Sequence, residues 1–343
     1  MIGKIRIENY RGLGALELEE LGQVTVISGP PCVGKTCLLE AIYLAALCDV
    51  NPENEDEPNL KPFKRTRAGE IESTSGLNWQ HLVHRTSDRR QHEDLDMRIH
   101  VTTQKEGRSR TFSIVYRPTS PRENSEQKIY IYDSRKTEPE KAELPPSKFD
   151  YTSHQEFSPF RILPAIVPPK NRRVPMDPQS IYDKIVEHLE IPRISSPKFL
   201  ASISMMVAAE DLYRPSYRTL GITHQFIPNV HEGDSLRLIL RTVTVAQYCT
   251  GSVLCIDNAN SGLSIKETQL LWEMLSEISL KTNVQIFAVT KSQEYLQTLF
   301  NSLDASINFR FIRLDRMQNG AINPVTYDRE TLEAAFNLNL SVV

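Results

Sequence analysis

The stretch Gly29-Pro30-Pro31-Cys32-Val33-Gly34-Lys35-Thr36 decides how the rest of the chain is read. Its spacing is GxxxxGK[ST]. In that pattern successive backbone N–H groups and a helix N-terminus face phosphate oxygens, a lysine adds a point charge, and a hydroxyl is offered to a divalent cation. The pattern carries weight only between a strand and a helix, because a Gly-rich turn before any helix can imitate it. Both neighbours are predicted: residues 23–27 form a short apolar strand, and residues 36–47 carry apolar side chains on nearly every face, as a helix buried against a sheet does. The expected cradle comprises Gly29, Pro30, Cys32, Val33, Gly34, Lys35, Thr36 and Cys37, with ATP and Mg²⁺ as its ligands.

Such a cradle needs a carboxylate at the end of a second buried strand to complete the Mg²⁺ shell with the Thr36 hydroxyl. Val253-Leu254-Cys255-Ile256-Asp257 has that form, and Asp257 is the candidate. An aspartate in that place can instead cap the helix that follows. Beyond it, residues 266–280 are amphipathic, with Leu271, Leu275 and Ile278 at i, i+4 and i+7, and residues 284–290 are strand-like. That order is strand, crossover helix, parallel strand.

Working outward, residues 4–8 and 15–19 alternate as strands on either side of a turn at Arg11-Gly12-Leu13-Gly14. Residues 51–62 and 117–146 are polar and Pro-rich and are expected as exposed loops, with strands at 96–102, 110–116 and 128–132 making a β-rich insertion. Helices are expected at 179–188, 197–207 and 235–248, and a strand pair at 217–227. The division drawn from this is one ATPase domain over 1–343, with its nucleotide-binding core at 1–50 and 229–343 and a β-rich and helical lobe at 51–228. Forty basic residues against forty-three acidic give a net charge of −3, which argues against a uniformly basic surface and leaves only a local groove for DNA. The five cysteines form no CxxC pair, and most lie in apolar runs, as reduced thiols of a cytoplasmic protein do. No apolar stretch long enough to cross a membrane and no zinc-type His/Cys spacing is visible.

Ile5-Arg6-Ile7-Glu8-Asn9-Tyr10-Arg11-Gly12, the phosphate loop, Asp257 and Asn260-Ser261-Gly262-Leu263 together resemble the small RecF/SMC-type ABC ATPases, and among them the AAA-type ATPases related to the overcoming-lysogenisation-defect proteins. Ile181-Tyr182-Asp183-Lys184-Ile185-Val186 is similar to a stretch between that family's two lobes. Phe311-Ile312-Arg313-Leu314, Asn319-Gly320 and Tyr327 to Leu332 are similar to its closing hairpin and helix. The resemblance implies an α/β P-loop NTPase fold: an ABC-type head with a mostly parallel sheet flanked by helices, plus an antiparallel β-rich lobe. It implies a homodimer closing face to face on ATP, with a signature segment covering the nucleotide from the other copy, here around Gly233, Asp234 and Ser235. The same three residues also fit an N-cap. By the same resemblance, Gln80 of Trp79-Gln80-His81 lies where the family carries its Mg²⁺-sensing glutamine, and a helix surface is the competing reading.

Three departures bear on chemistry. Glu232-Gly233-Asp234 stands where the family tends to have Gly-x-Gly. Asn258 replaces the general-base glutamate after the metal aspartate, and Lys291 replaces the switch histidine. An amide orients water but accepts no proton from it, and a lysine holds a terminal phosphate without sharing a proton as histidine does. The expected catalytic set is therefore Lys35, Asp257, Asn258 and Lys291, with tight or ordinary ATP binding and slow turnover; Glu267 is the carboxylate that would substitute as base. The alternative is a nucleotide-gated scaffold that does not hydrolyse. Neither a coiled-coil arm nor a Toprim nuclease is visible, so an effector is expected to be a separate polypeptide. Lys61, Lys64, Arg65, Arg67, Arg89, Arg90, Arg108 and Arg110 would line a DNA-facing surface, or simply be solvated charge.

Overall fold

The computed structural model describes residues 1–49, 96–105, 108–117, 128–133, 140–142, 161–165, 238–239, 242–243, 246–247, 249, 251–259 and 262–343. Its strands are β1 (Ile2–Tyr10), β2 (Leu13–Leu18), β3 (Val24–Ser28), β4 (Met97–Lys105), β5 (Arg108–Arg117), β6 (Lys128–Asp133), β7 (Glu140–Ala142), β8 (Arg161–Ala165), β9 (Val253–Asp257), β10 (Gln285–Val289), β11 (Phe309–Arg316) and β12 (Ile322–Tyr327). Its helices are α1 (Lys35–Asp49), α2 (Ile265–Thr282), α3 (Gln293–Ser302) and α4 (Arg329–Asn337). Residues 238–239, 242–243 and 246–247 are also helical, in agreement with the helix expected there.

Among the described residues the strands form two six-stranded sheets. One is antiparallel throughout, in the order β2-β1-β4-β5-β6-β7. The other runs β12-β11-β3-β10-β9-β8; β11, β3, β10 and β9 are mutually parallel, and antiparallel β12 and β8 close its edges. Of the four parallel strands, β3, β9 and β10 are buried on both faces and accordingly read as short, mostly apolar runs, such as Val24 to Ile27 and Val253 to Ile256, whereas β11 is only partly covered and alternates with Arg310 and Arg313.

Helix α1 is apolar all round because it lies between the sheets. Leu38, Leu39, Ala41, Ile42 and Ala45 share one core with Ile5, Ile7, Leu13 and Ile99 of the antiparallel sheet and with Ile27, Cys255, Phe287 and Leu314 of the parallel one. The opposite face of the parallel sheet, with Val24, Val26, Leu254, Ile256 and Ala288, packs on α2, α3 and α4. On α2 the buried stripe includes Leu270, Leu271, Trp272, Met274, Leu275 and Ile278, each contributing roughly 1.5–3 kcal/mol of burial before chain entropy offsets it. A capping box between Ser264 and Glu267 starts α2, and Asn283 in the left-handed region ends it, with its N–H donating to the Ser279 carbonyl.

Gln285, at the start of β10 and fully buried, ties the N-terminal strand to the parallel sheet. Its Oε1 accepts from Ile2 N at 2.7 Å, and its Nε2 donates to Ile2 O at 2.8 Å and Gly22 O at 2.9 Å.

Strand pairing crosses the chain order. Strands β1 and β2 pair into the antiparallel sheet rather than the core sheet, because Ile5 to Glu8 align with residues of both β2 and β4. Strand β8, far along the intervening segment, pairs with β9 of the core. Within the expected loop at 117–146 a three-residue strand, β7, pairs with β6. The helices expected at 179–188 and 197–207, the strand pair at 217–227, and residues 181–186 lie outside the described residues.

Candidate nucleotide-binding site

The loop between β3 and α1 has a backbone only its glycines permit. Gly29 has φ +139°, and a Cβ there would come within 2.3 Å of the Leu314 carbonyl oxygen on β11. Gly34 has φ +105°, and a Cβ there would meet Leu13 Cδ2 at 2.6 Å. The loop is therefore seated against β11 on one side and the start of β2 on the other. Helix α1 begins directly after it, with Leu38 N donating to Gly34 O at 2.9 Å. The free N–H groups of its first turn then face the loop's concavity.

Lys35 is buried, and its Nζ donates to the carbonyls of Gly29 at 2.5 Å and Pro30 at 2.7 Å. Burial and then the nearby Lys291 ammonium hold its pKa below the usual lysine value of 10.5, against the opposing pull of Asp257 and Cys32. Lys291 follows β10 by two residues and is exposed, and Thr290 N donates to Ile27 O at 3.1 Å, which brings this end of β10 beside the end of β3 where the loop begins.

Asp257, the last residue of β9, is buried, and its Oδ2 accepts from Thr36 Oγ1 at 3.0 Å. Strand β10 lies between β3 and β9, so the two ends meet across an intervening strand. Asp257 does not cap a helix, since α2 takes its cap from Ser264. Asn258 is half-buried with φ +52°, a left-handed conformation asparagine tolerates well, and the next amide, Ala259 N, donates to Val289 O at 2.9 Å. The turn after β9 is thereby tied to the end of β10. Glu267, the carboxylate expected to substitute as base, accepts through Oε2 from Ser264 N at 2.7 Å in the capping box of α2.

Gly29, Pro30, Cys32, Val33, Gly34, Lys35, Thr36, Cys37, Asp257, Asn258 and Lys291 are therefore gathered around one loop. Gly233, Asp234 and Ser235, Gln80, Asn260 and Ser261 lie outside the described residues, as do Lys61, Lys64, Arg65, Arg67, Arg89 and Arg90. Cys32 is exposed in the loop, whereas Cys249 and Cys255 are buried as core thiols.

Two neighbours of the loop had no clear signal in sequence. Arg11, at φ +50° between β1 and β2, forms an ion pair with Glu40, which is only 3 % exposed and sits one turn after Thr36 on α1. Arg316, at the end of β11, donates from Nη2 to Cys32 O at 2.9 Å. A glutamate at the sixth position of α1, inside the apolar run from Leu38 to Ile42, is the one hint of the first pair.

The donor set suits a hard divalent cation, since a hydroxyl and a carboxylate oxygen lie within a hydrogen bond of each other beside a basic loop. No family model and no curated protein matches the chain. Solved structures similar to it include the SMC head domain from Thermotoga maritima, at 12 % identity over 95 % of this chain and 99 % of that one with a TM-score of 0.45. The Smc head domain of Pyrococcus furiosus, solved with an extended coiled coil and bound to the C-terminal domain of ScpA, is 10 % identical over 98 % of each chain, also at 0.45. The recombination mediator protein RecF is 12 % identical over 95 % of this chain and 98 % of that one, at 0.40. The strand order and the loop geometry, rather than these distant likenesses, define the α/β P-loop fold.

Proposed function

We propose that the chain binds ATP with Mg²⁺ in the Gly29 to Thr36 loop and turns it over slowly. The meeting of Thr36 and Asp257 at 3.0 Å beside Lys35 carries this reading, because two segments 221 residues apart converge on the two oxygens a nucleotide-bound cation needs. The magnesium ion, when bound, neutralises charge on the β- and γ-phosphates. Lys35 exchanges its two loop carbonyls for phosphate oxygens, and Lys291 adds a second cation at the same end. Asn258 orients water through its amide without accepting its proton, and Glu267, held in a helix cap, is poorly placed to substitute. Binding is thus better provided for than hydrolysis.

The output of such a site is a nucleotide-dependent shape. We read it as homodimer closure on ATP that controls a separate effector protein or a DNA transaction, with Gly233, Asp234 and Ser235 reaching the nucleotide of the other copy. If hydrolysis is absent, the same closure makes a scaffold. Equilibrium ATP titration of the wild type and of Lys35→Ala, combined with light-scattering mass with and without ATP, tests both levels. Binding lost in the variant and a mass doubled by ATP support the reading. Equal binding by both proteins overturns the site, and an unchanged mass overturns the closure.

A further inference from the structure

Cys32 has φ +61°, a conformation that a residue bearing Cβ disfavours by about tenfold. It sits at the exposed apex of the loop, beyond Pro30 and Pro31. Among the described contacts inside the loop, Val33 N reaches Pro30 O at 3.4 Å, and Lys35 Nζ reaches the Gly29 and Pro30 carbonyls. None of these holds the Cys32 carbonyl. Arg316 does, from the end of β11, at 2.9 Å. The peptide between Cys32 and Val33 is planar, so fixing its oxygen toward Arg316 turns the Val33 N–H the opposite way, into the loop, as its approach to Pro30 O shows. That hydrogen bond closes the Pro30 to Val33 turn, which shapes the cradle ahead of Gly34 and Lys35. Strand β11 thus meets the loop twice, through the Leu314 carbonyl that packs on Gly29 and through Arg316.

We propose that Arg316 is a positioning residue for the phosphate loop, anchoring the Cys32–Val33 peptide so that the cradle is preformed before nucleotide arrives; this rests on the nucleotide-binding reading of the loop. Without the anchor the loop relaxes toward conformers with Cys32 at negative φ, and apparent affinity falls by the fraction of molecules still competent. A glycine at position 32 has no such preference and needs the anchor less.

The test is a double-mutant cycle with Arg316→Ala and Cys32→Gly, read as the dissociation constant of a fluorescent ATP analogue. Arg316→Ala weakens binding about tenfold in the wild-type background, about 1.4 kcal/mol. In the Cys32→Gly background the same change costs about twofold or less. An equal loss in both backgrounds overturns the proposal, because Arg316 then acts on the nucleotide itself; no loss in either also overturns it. Hydrogen exchange over residues 30–36 in nucleotide-free protein reads the anchor independently. Arg316→Ala speeds exchange at Val33, and unchanged exchange refutes the anchor. Should the wild type bind no triphosphate while exchange still responds, the nucleotide reading fails and the anchor stands.

Discussion

The Thr36 hydroxyl donates to Asp257 Oδ2 at 3.0 Å, joining the first turn of α1 to the end of β9. The bond holds together the two oxygens that a cation would take over, so removing the charge on one should uncouple nucleotide from metal. Asp257→Asn keeps the shape and still accepts from Thr36. Withdrawing Mg²⁺ from the wild type should weaken ATP binding about tenfold or more, about 1.4 kcal/mol, whereas Asp257→Asn should bind equally weakly with and without the ion. Calorimetric titrations in magnesium and in chelator measure the difference.

The proposed slow turnover rests on Asn258. Replacing it with glutamate restores a group able to take a proton from water, and general-base catalysis contributes about 10²–10⁴-fold when well placed. Turnover in a single-turnover assay should rise by at least about tenfold. The backbone opposes the change, since position 258 has φ +52° and glutamate gives up asparagine's tolerance of that region at a cost of about 1 kcal/mol. A faster but less stable enzyme is the expected outcome, and unchanged turnover would show that water is positioned elsewhere.

Lys35 makes the site sensitive to alkaline pH. Burial and then Lys291 lower its pKa, and only the ammonium form attracts phosphate. Affinity for ATP should therefore be constant near neutrality and fall as pH rises through a value below the ordinary 10.5. Lys291→Met removes one of the two lowering influences, so the falling limb should move to higher pH even as affinity at neutral pH drops. A limb that stays in place would mean the two ammonium groups do not interact.

The parallel core was legible because its physics is local. A short apolar run such as Val253 to Ile256 suits a buried strand, and the spacing from Gly29 to Thr36 fixes loop and helix together. Asp257 lies at the end of β9 and Gly29 to Thr36 lie between β3 and α1, as that order of elements requires, whereas Gly233, Asp234 and Ser235 lie outside the described residues. Sheet membership was not legible, because β1 alternates as any strand does and nothing in Ile5 to Glu8 says that β4, about ninety residues on, will be its partner. The edge strands β7 and β8 were missed for a related reason, being three and five residues long with a proline in the latter. The Arg316 contact with Cys32 spans 284 residues and depends on a backbone angle, which no spacing encodes.

Gln285 offers the sharpest stability test. It is 0 % exposed, and its amide makes three hydrogen bonds, one from Ile2 N and two to the carbonyls of Ile2 and Gly22. No charge is involved, so the effect should be independent of salt and of pH near neutrality. Gln285→Leu is close in volume but strips partners from buried backbone groups, each costing about 1–3 kcal/mol when left unsatisfied. Relaxation of the chain terminus to admit water would recover part of this, which places the net loss at about 2–4 kcal/mol in urea unfolding. Gln285→Glu keeps the acceptor for Ile2 N but turns a carboxylate toward two carbonyls. It should therefore be at least as damaging at neutral pH and should partly recover under acid conditions, where the protonated carboxyl can donate once more. Equal stability of all three proteins would show that the N-terminal strand is held by its pairing with β2 and β4 alone.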